Sequence, residues 1–269
     1  MASAADSSAA LSWALGEGGG AAYSTREDGH MFDEKLRSAW LASVSPAGSP
    51  PRAAIMAGCV HKPLVKVITP EMAEEASRCE GGSVVSGVDG LVACGSVARS
   101  LTLLAPGADC PGIAIRAGPE CIGVAHCGWR PTAGGMVNVL VTSMEEAAEA
   151  AGVSLPPRSE WAAVIGPGIS GAHYEVDGPV LESRDWPDAA LWGLREVTAE
   201  DEALGRGKAG PRMRLDLRAA LRSDLEDEGL PSASIVVSEP CTWDDDRLRS
   251  HRQDGGVKGL NQALAAWIS

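Results

Sequence analysis

Between residues 53 and 126 six short apolar runs follow one another with no amphipathic helix among them. They cover 53–60, 64–68, 90–93, 101–105, 112–116 and 121–126. Each has the length of a strand and is flanked by residues that favour turns. Two further runs, 161–165 and 234–238, read the same way. A helical period appears in only two places. In 132–151, Met136, Val139, Leu140, Met144 and Ala147 form one stripe, with Glu145, Glu146 and Glu149 off it. In 215–228, Leu217, Leu221 and Leu225 recur every four residues, and Gly229 supplies a stop. Blocks of strands broken by single helices do not suit a regular βαβ winding. They predict an α/β fold in which a mixed sheet is covered by helices.

At 269 residues the chain is long enough for one large domain or two small ones, and no linker divides it. Aromatic residues make up 4 %, and eight of the eleven are Trp, so the core must be built mainly from Ala, Val, Leu and Ile. The formal charge of −13 argues against nucleic acid and anionic membranes as partners, since both need a basic surface. It leaves room for a small anionic ligand, which needs only one or two local Arg. Seven scattered cysteines, an odd number, suggest a reducing, cytoplasmic setting with most thiols free. Residues 1–20 are rich in Ala, Ser and Gly, lack a basic leader and end in Gly18-Gly19-Gly20. They read as a poorly ordered segment ahead of a catalytic domain at 21–269. No apolar run reaches the length of a membrane span. Loops are expected at 47–52 and 205–212.

Three residues at the edges of predicted strands carry the chemistry: His61, Cys110 and His126. Two imidazoles and a thiolate make a three-ligand zinc set, with a fourth position left for water or substrate. Each residue also has a plainer reading. Cys110 can be a small buried hydrophobe or a nucleophile, and a His that ends a strand is often a hydrogen-bonded structural residue. Cys59 lies two residues before His61 and would face the same side of an extended segment. After His126 come Cys127-Gly128-Trp129-Arg130. Gly128 permits close backbone approach, Trp129 can wall a pocket, and Arg130 can bind an anion or join a salt bridge. No phosphate-binding loop and no nucleophile elbow is present, and the 166–171 loop matches no dinucleotide signature. The acidic run 244–246 reads as a solvated turn.

Taken together, these contexts resemble the YfiH-type proteins, also called laccase-domain proteins and recognised as zinc-dependent purine nucleoside phosphorylases and deaminases. His126-Cys127-Gly128-Trp129-Arg130 resembles the family's His-Ala-Gly-Trp-Arg-Gly. Ala108-Asp109-Cys110-Pro111 resembles Ala-Asp-Cys-x-Pro, and Val60-His61 resembles Gln-Val-His-Gly. Ser24-Thr25-Arg26, Asp89-Gly90-Leu91-Val92, Tyr174-Glu175-Val176, Cys241-Thr242 and Ser250-His251-Arg252 add matches in consistent order over roughly residues 20–268. The resemblance implies a single α/β domain of layered mixed sheets flanked by helices. It implies zinc held by His61, Cys110 and His126, and a small-molecule substrate, a nucleoside with phosphate. The expected reactions are phosphorolysis of purine nucleosides or deamination of adenosine. Arg26, Arg130 and Arg252 are the cationic candidates for phosphate or ribose, Trp129 is a candidate substrate contact, and Asp109 is a candidate orienting or proton-shuttling group.

The departures cluster around these motifs. Cys59 stands where the family has Gln, Lys62 where it has Gly, Cys127 where it has Ala, and Pro131 where it has Gly. Kept ligands with altered neighbours suggest a changed substrate, such as that of a specialised biosynthetic enzyme. An alternative is metal-free thiol chemistry. The same fold grouping includes the cytotoxic necrotizing factor-type deamidases, which use a Cys and a following His, and Cys110 with His126 would supply that pair. A multi-copper oxidase is disfavoured, because three ligands cannot hold several copper ions.

Overall fold

The predicted strands are apolar along their whole length because both of their faces are buried. The computed structural model describes residues 11–44, 53–203, 211–257 and 261–268. Two six-stranded mixed sheets lie face to face. The first runs β1 (Leu11–Ala14), β2 (Gly19–Tyr23), β15 (Gln262–Ile268), β7 (Leu101–Gly107), β3 (Ala53–Ala57), β5 (Ser83–Val85). The second runs β14 (Ile235–Val237), β10 (Ala162–Ile165), β8 (Gly112–Arg116), β9 (Cys121–His126), β6 (Gly90–Cys94), β4 (Val65–Val67). A small third sheet joins β11 (Glu175–Val176), β13 (Arg212–Leu215) and β12 (Leu191–Arg195). The helices among the described residues are α1 (Glu34–Val44), α2 (Pro70–Ser77), α3 (Ser96–Ser100), α4 (Trp129–Ala133), α5 (Met136–Ala151), α6 (Gly178–Leu181), α7 (Ala199–Ala203) and α8 (Leu217–Asp227).

Alternation along each strand separates the core into layers. Ile55, Leu103, Ala114, Val124 and Leu264 fill the space between the sheets. Their neighbours Met56, Leu104 and Ala265 turn outward against Trp40 and Leu41 of α1. On the other side Ile113 and Ile115 turn out against Met136, Leu140 and Leu221, on α5 and α8. The order is therefore helix, sheet, sheet, helix. Gly123 in β9 is required by this packing, since a Cβ there would lie 2.9 Å from Met144 Sδ and 3.1 Å from Leu140 Cδ1.

All eight predicted strands are present, and three expectations need correction. The run 53–60 stops as a strand at Ala57, because Cys59 and His61 take positive φ angles of 60° and 59°. The helix expected over 132–151 is two helices, broken where Gly135 adopts φ 79°. The segment expected to be loose is paired from residue 11 onward, where β1 and β2 form an antiparallel hairpin at the edge of the first sheet. Residues 1–10 lie outside the described residues, as do the loop expected at 47–52 and the 205–210 part of the second loop. Arg212 of that loop begins β13. Cys94 and Cys121, opposite each other on β6 and β9, form a disulfide. Cys59, Cys79, Cys110, Cys127 and Cys241 are free.

Helix α5 covers the sheet that carries His126, and Leu140 is fully buried beneath it. Leu140→Ala is expected to cost about 2–5 kcal/mol through lost burial and the cavity left behind, read as a fall in the midpoint of urea unfolding.

Candidate metal centre

The buried carboxylate of Asp89, at the start of β6, organises the loop between β3 and β4. It accepts backbone N–H groups from Val60 at 2.9 Å, His61 at 2.9 Å and Lys62 at 3.1 Å. Its Oδ1 also accepts from His126 Nδ1 at 2.7 Å. Burial pulls this carboxyl toward the neutral form, but the bonds from His126 and the loop outweigh it and hold the group below the usual carboxylate range. Three converging amide donors explain why the strand ends early. The amides of residues 60–62 turn toward one carboxylate instead of continuing a ladder, and positive φ at Cys59 and His61 makes that turn.

His126 ends β9 opposite Gly112 of β8, so Cys110 sits two residues before a strand residue paired with it. Gly128 keeps the approach open. A Cβ at Gly128 would lie 2.9 Å from Cys110 Sγ and 3.4 Å from His126 Cε1. The rings of His61 and His126 meet edge to face with centroids 4.9 Å apart. Cys59 Sγ lies 3.5 Å from His126 Nδ1. One donor atom each from Cys59, His61 and His126 falls within 4.8 Å of the others. Cys59, His61, Cys110 and His126 all line one cavity of about 370 Å³, with Phe32, Gly107 and His251 on its walls. Burial disfavours charge on His126, but Asp89, Cys110 and Cys59 outweigh it and its pKa lies well above the usual value. His61 is shifted down, first by burial and then by the neighbouring His126. Asp89 holds Nδ1 of His126 and so leaves Nε2 as the nitrogen that could bind an ion in place of its proton, the carboxylate–histidine arrangement found behind metal ligands. Two imidazoles and one thiol suit zinc or another thiophilic ion, and Cys110, the ligand expected from the sequence, lines the same cavity without belonging to this close group.

The other sequence candidates are placed differently. Asp109 is buried, has φ 74°, and accepts from Thr242 Oγ1 at 2.6 Å and from the Arg252 N–H at 2.7 Å. Both carboxylate oxygens are thus engaged, Oδ1 with Thr242 and Oδ2 with the 250–252 turn, beside Cys110. Arg26 donates its Nε–H to the Leu248 carbonyl and pairs with Asp254 at 3.6 Å, which fastens the same C-terminal turn. Arg130 is exposed and stacks over Trp129 at 4.3 Å. Arg252 lies over Tyr174 at 4.7 Å and lines a second cavity of about 590 Å³ with Arg212, Arg214 and His173. Arg26, Asp109, Trp129, Arg130 and Arg252 are not among the residues lining the cavity at His61 and His126. The 166–171 loop backs Asp109, whose carbonyl accepts from the Ile169 N–H at 2.8 Å. Asp244 of the acidic turn meets His173 Nε2 at 2.8 Å, close to Cys241. Sequence reasoning gave Asp89 and His251 no role. The Asp before an apolar strand was the visible sign of the first, but its target amides lie 27–29 residues away.

Residues 34–269 match the family described as multi-copper polyphenol oxidoreductase laccase. The chain belongs to this family. It is 32 % identical to the purine nucleoside phosphorylase YlmD of Geobacillus stearothermophilus over 180 residues, 66 % of this chain and 59 % of that protein. It is 29 % identical over 165 residues to the adenosine deaminase RL5 of an unknown prokaryotic organism, 61 % of this chain and 55 % of that protein. The chain thus spans under two thirds of the length of these relatives. The structure of YlmD from Geobacillus stearothermophilus superimposes with TM-score 0.71 at 25 % identity, covering 94 % of this chain and 93 % of that one. The Bacillus licheniformis hypothetical protein YfiH gives TM-score 0.70 at 22 % identity, covering 93 % of each chain. The YfiH-type assignment and the layered α/β fold expected from the sequence both hold. Among the described residues no helix of this family member is long and apolar enough to cross a membrane.

Removing the Asp89 carboxylate strands three amides and an imidazole at once. Asp89→Ala is expected to destabilise the protein by about 3–5 kcal/mol, measured by denaturant unfolding of metal-free protein. An unfolding midpoint equal to that of the parent would show that the loop is held by something else.

Proposed function

We propose that this protein is a zinc-dependent enzyme acting on purine nucleosides, by phosphorolysis, by deamination of adenosine, or on a related specialised substrate. The observation that carries the reading is the meeting of His61, Cys110 and His126 at one cavity, with Asp89 holding His126 by its Nδ1. The kinship to proteins named purine nucleoside phosphorylase and adenosine deaminase supports the substrate class.

In this reading His61, Cys110 and His126 hold the ion, and Asp89 keeps His126 in its ligating tautomer. Bound zinc supplies a positive charge that polarises a substrate atom or water at neutral pH. The chain's own residues do the rest. The cavity of about 370 Å³ is large enough for a ligand of nucleoside size. His251 on its wall is placed to give or take a proton. Asp109 acts by holding the 250–252 turn, and so His251, against the site. Arg130, which rests on Trp129 and acts on the charge of His61, provides positive charge near the site for phosphate, while Arg252 rests on Tyr174 and lines the second cavity. Five of the seven cysteines are free, which suits a reducing, cytoplasmic setting.

Purified protein is expected to contain about one zinc per chain, and His61→Ala and Cys110→Ser to lower both metal content and nucleoside turnover at least about a hundredfold. The assay is a panel of adenosine, inosine, guanosine and methylthioadenosine with and without phosphate. Metal-free protein that turns over substrate and is silenced by a thiol alkylator would instead favour direct attack by Cys110 with His126 as its base.

A further inference from the structure

We propose that the second cavity, walled by the third sheet, is an anion site that holds the phosphate group of a small ligand, a phosphomonoester or free phosphate, between Arg214 and Arg252. The site stands apart from the zinc reading, since none of its lining residues borders the cavity at His61 and His126.

The third sheet builds the wall. Arg212 and Arg214 are two residues apart on β13, so their side chains leave the strand on one face. Arg214 is paired with Glu175 of β11. Arg252 arrives from the C-terminal turn and donates from its guanidinium to the Glu175 carbonyl at 3.1 Å. Its other contact is Tyr174, whose ring it covers at 4.7 Å, so the plane of the guanidinium is set by packing. Ala172, His173 and Trp243 complete the lining of the cavity of about 590 Å³. That volume lies inside the range of roughly 300–1,000 Å³ common to small-molecule sites. Trp243 gives the cavity a flat side. Its ring stacks on His173 with planes 11° apart and centroids 5.3 Å apart, and His173 is held in turn by Asp244 at 2.8 Å.

The balance of charge selects the ligand. Glu175 is the one carboxylate among the lining residues, and its charge is already met. It accepts from Arg195 at 2.8 and 2.9 Å and from Arg212 at 2.7 Å. Burial raises its pKa, but the two guanidinium groups outweigh burial and hold the carboxyl below its usual range. Arg212 also reaches Asp177 at 3.9 Å. Arg214 and Arg252 are different. Arg214 donates to the Ala172 carbonyl and Arg252 to that of Glu175, and among the described residues neither meets a carboxylate. Two guanidinium charges therefore face one cavity without a counter-charge, on a chain of formal charge −13. Like charges gathered at one place repel, and an anion between them relieves the repulsion. A phosphomonoester carries a charge of about −1.5 to −2 at pH 7 and offers three acceptor oxygens. It matches both the charge and the planar donor forks of two arginines.

The test is binding of adenosine monophosphate and of inorganic phosphate to metal-free protein, by titration calorimetry and tryptophan fluorescence. Affinity for both probes is expected to fall about tenfold or more in Arg214→Ala and in Arg252→Ala, and less in Arg214→Lys, which keeps the charge and loses the fork. It should be unchanged in His61→Ala, whose side chain lines the other cavity. The unfolding midpoint without probe checks that each variant folds. Tighter binding of the nucleotide than of phosphate, with a fluorescence change lost in Trp243→Phe, would identify a phosphomonoester lying along Trp243. Equal affinities would identify the free anion. Unchanged affinity in the Arg214 and Arg252 variants would overturn the site. A loss confined to His61→Ala would place the phosphate in the first cavity and overturn it as well. So would a parent protein that binds neither probe at about 1 mM. None of these results bears on metal content, which tests the zinc reading separately.

Discussion

One carboxylate sets the geometry of the whole site. Asp89 is fully buried, and such a charge survives only if its lone pairs are filled. Four donors fill them, three from the loop that leaves the first sheet and one from the ring at the end of β9 in the second sheet. Hydrogen bonds to a charged acceptor contribute about 1.5–3 kcal/mol each, so the clamp is strong enough to hold two αL residues in place. The same four bonds aim His126 and deliver Cys59 and His61 to its side. A structural need, satisfying a buried charge, and a functional one, orienting ligands, are met by the same atoms.

The two-sheet architecture makes that clamp possible. The chain passes from β3 in one sheet to β4 in the other through the 58–64 turn, and Asp89 opens β6 next to β4. Cys110 and His126 come from the ends of β8 and β9, which are neighbours in the second sheet. Four segments distant in sequence therefore end at one rim. The C-terminal turn is brought to the same rim by Asp109 and Arg26, which bind it through backbone groups. This explains why these two charged residues, natural candidates for substrate contact, have their side chains engaged in scaffolding.

Much of this was legible in the sequence, for reasons that can be named. Strands such as Gly112–Arg116 and Cys121–His126 are apolar on both faces, and their ends carry the reactive residues, so pattern and chemistry coincide there. Two of the strands that went unread are rich in Ala or Gly. Gly19–Tyr23 and Gln262–Ile268 have weak strand propensity and acquire their conformation from pairing with each other and with β7. The break in the 132–151 helix was written in Gly134-Gly135, but the apolar stripe that starts at Met136 drew the reading back across the pair. Asp89 was unreadable as an organiser because its partners are backbone amides, which leave no mark on residue identity.

Cys59 shows how a local change can alter a site without disturbing its frame. The turn around Asp89 is made by amides, and any side chain that tolerates αL can ride on it. A thiol stands there where the family motif carries an amide, and it rests against His126 Nδ1 at 3.5 Å, beside the Asp89 bond. The backbone clamp fixes where the side chain at 59 sits whatever its chemistry, so a substitution there can change what the imidazoles meet while the amides stay bound to Asp89.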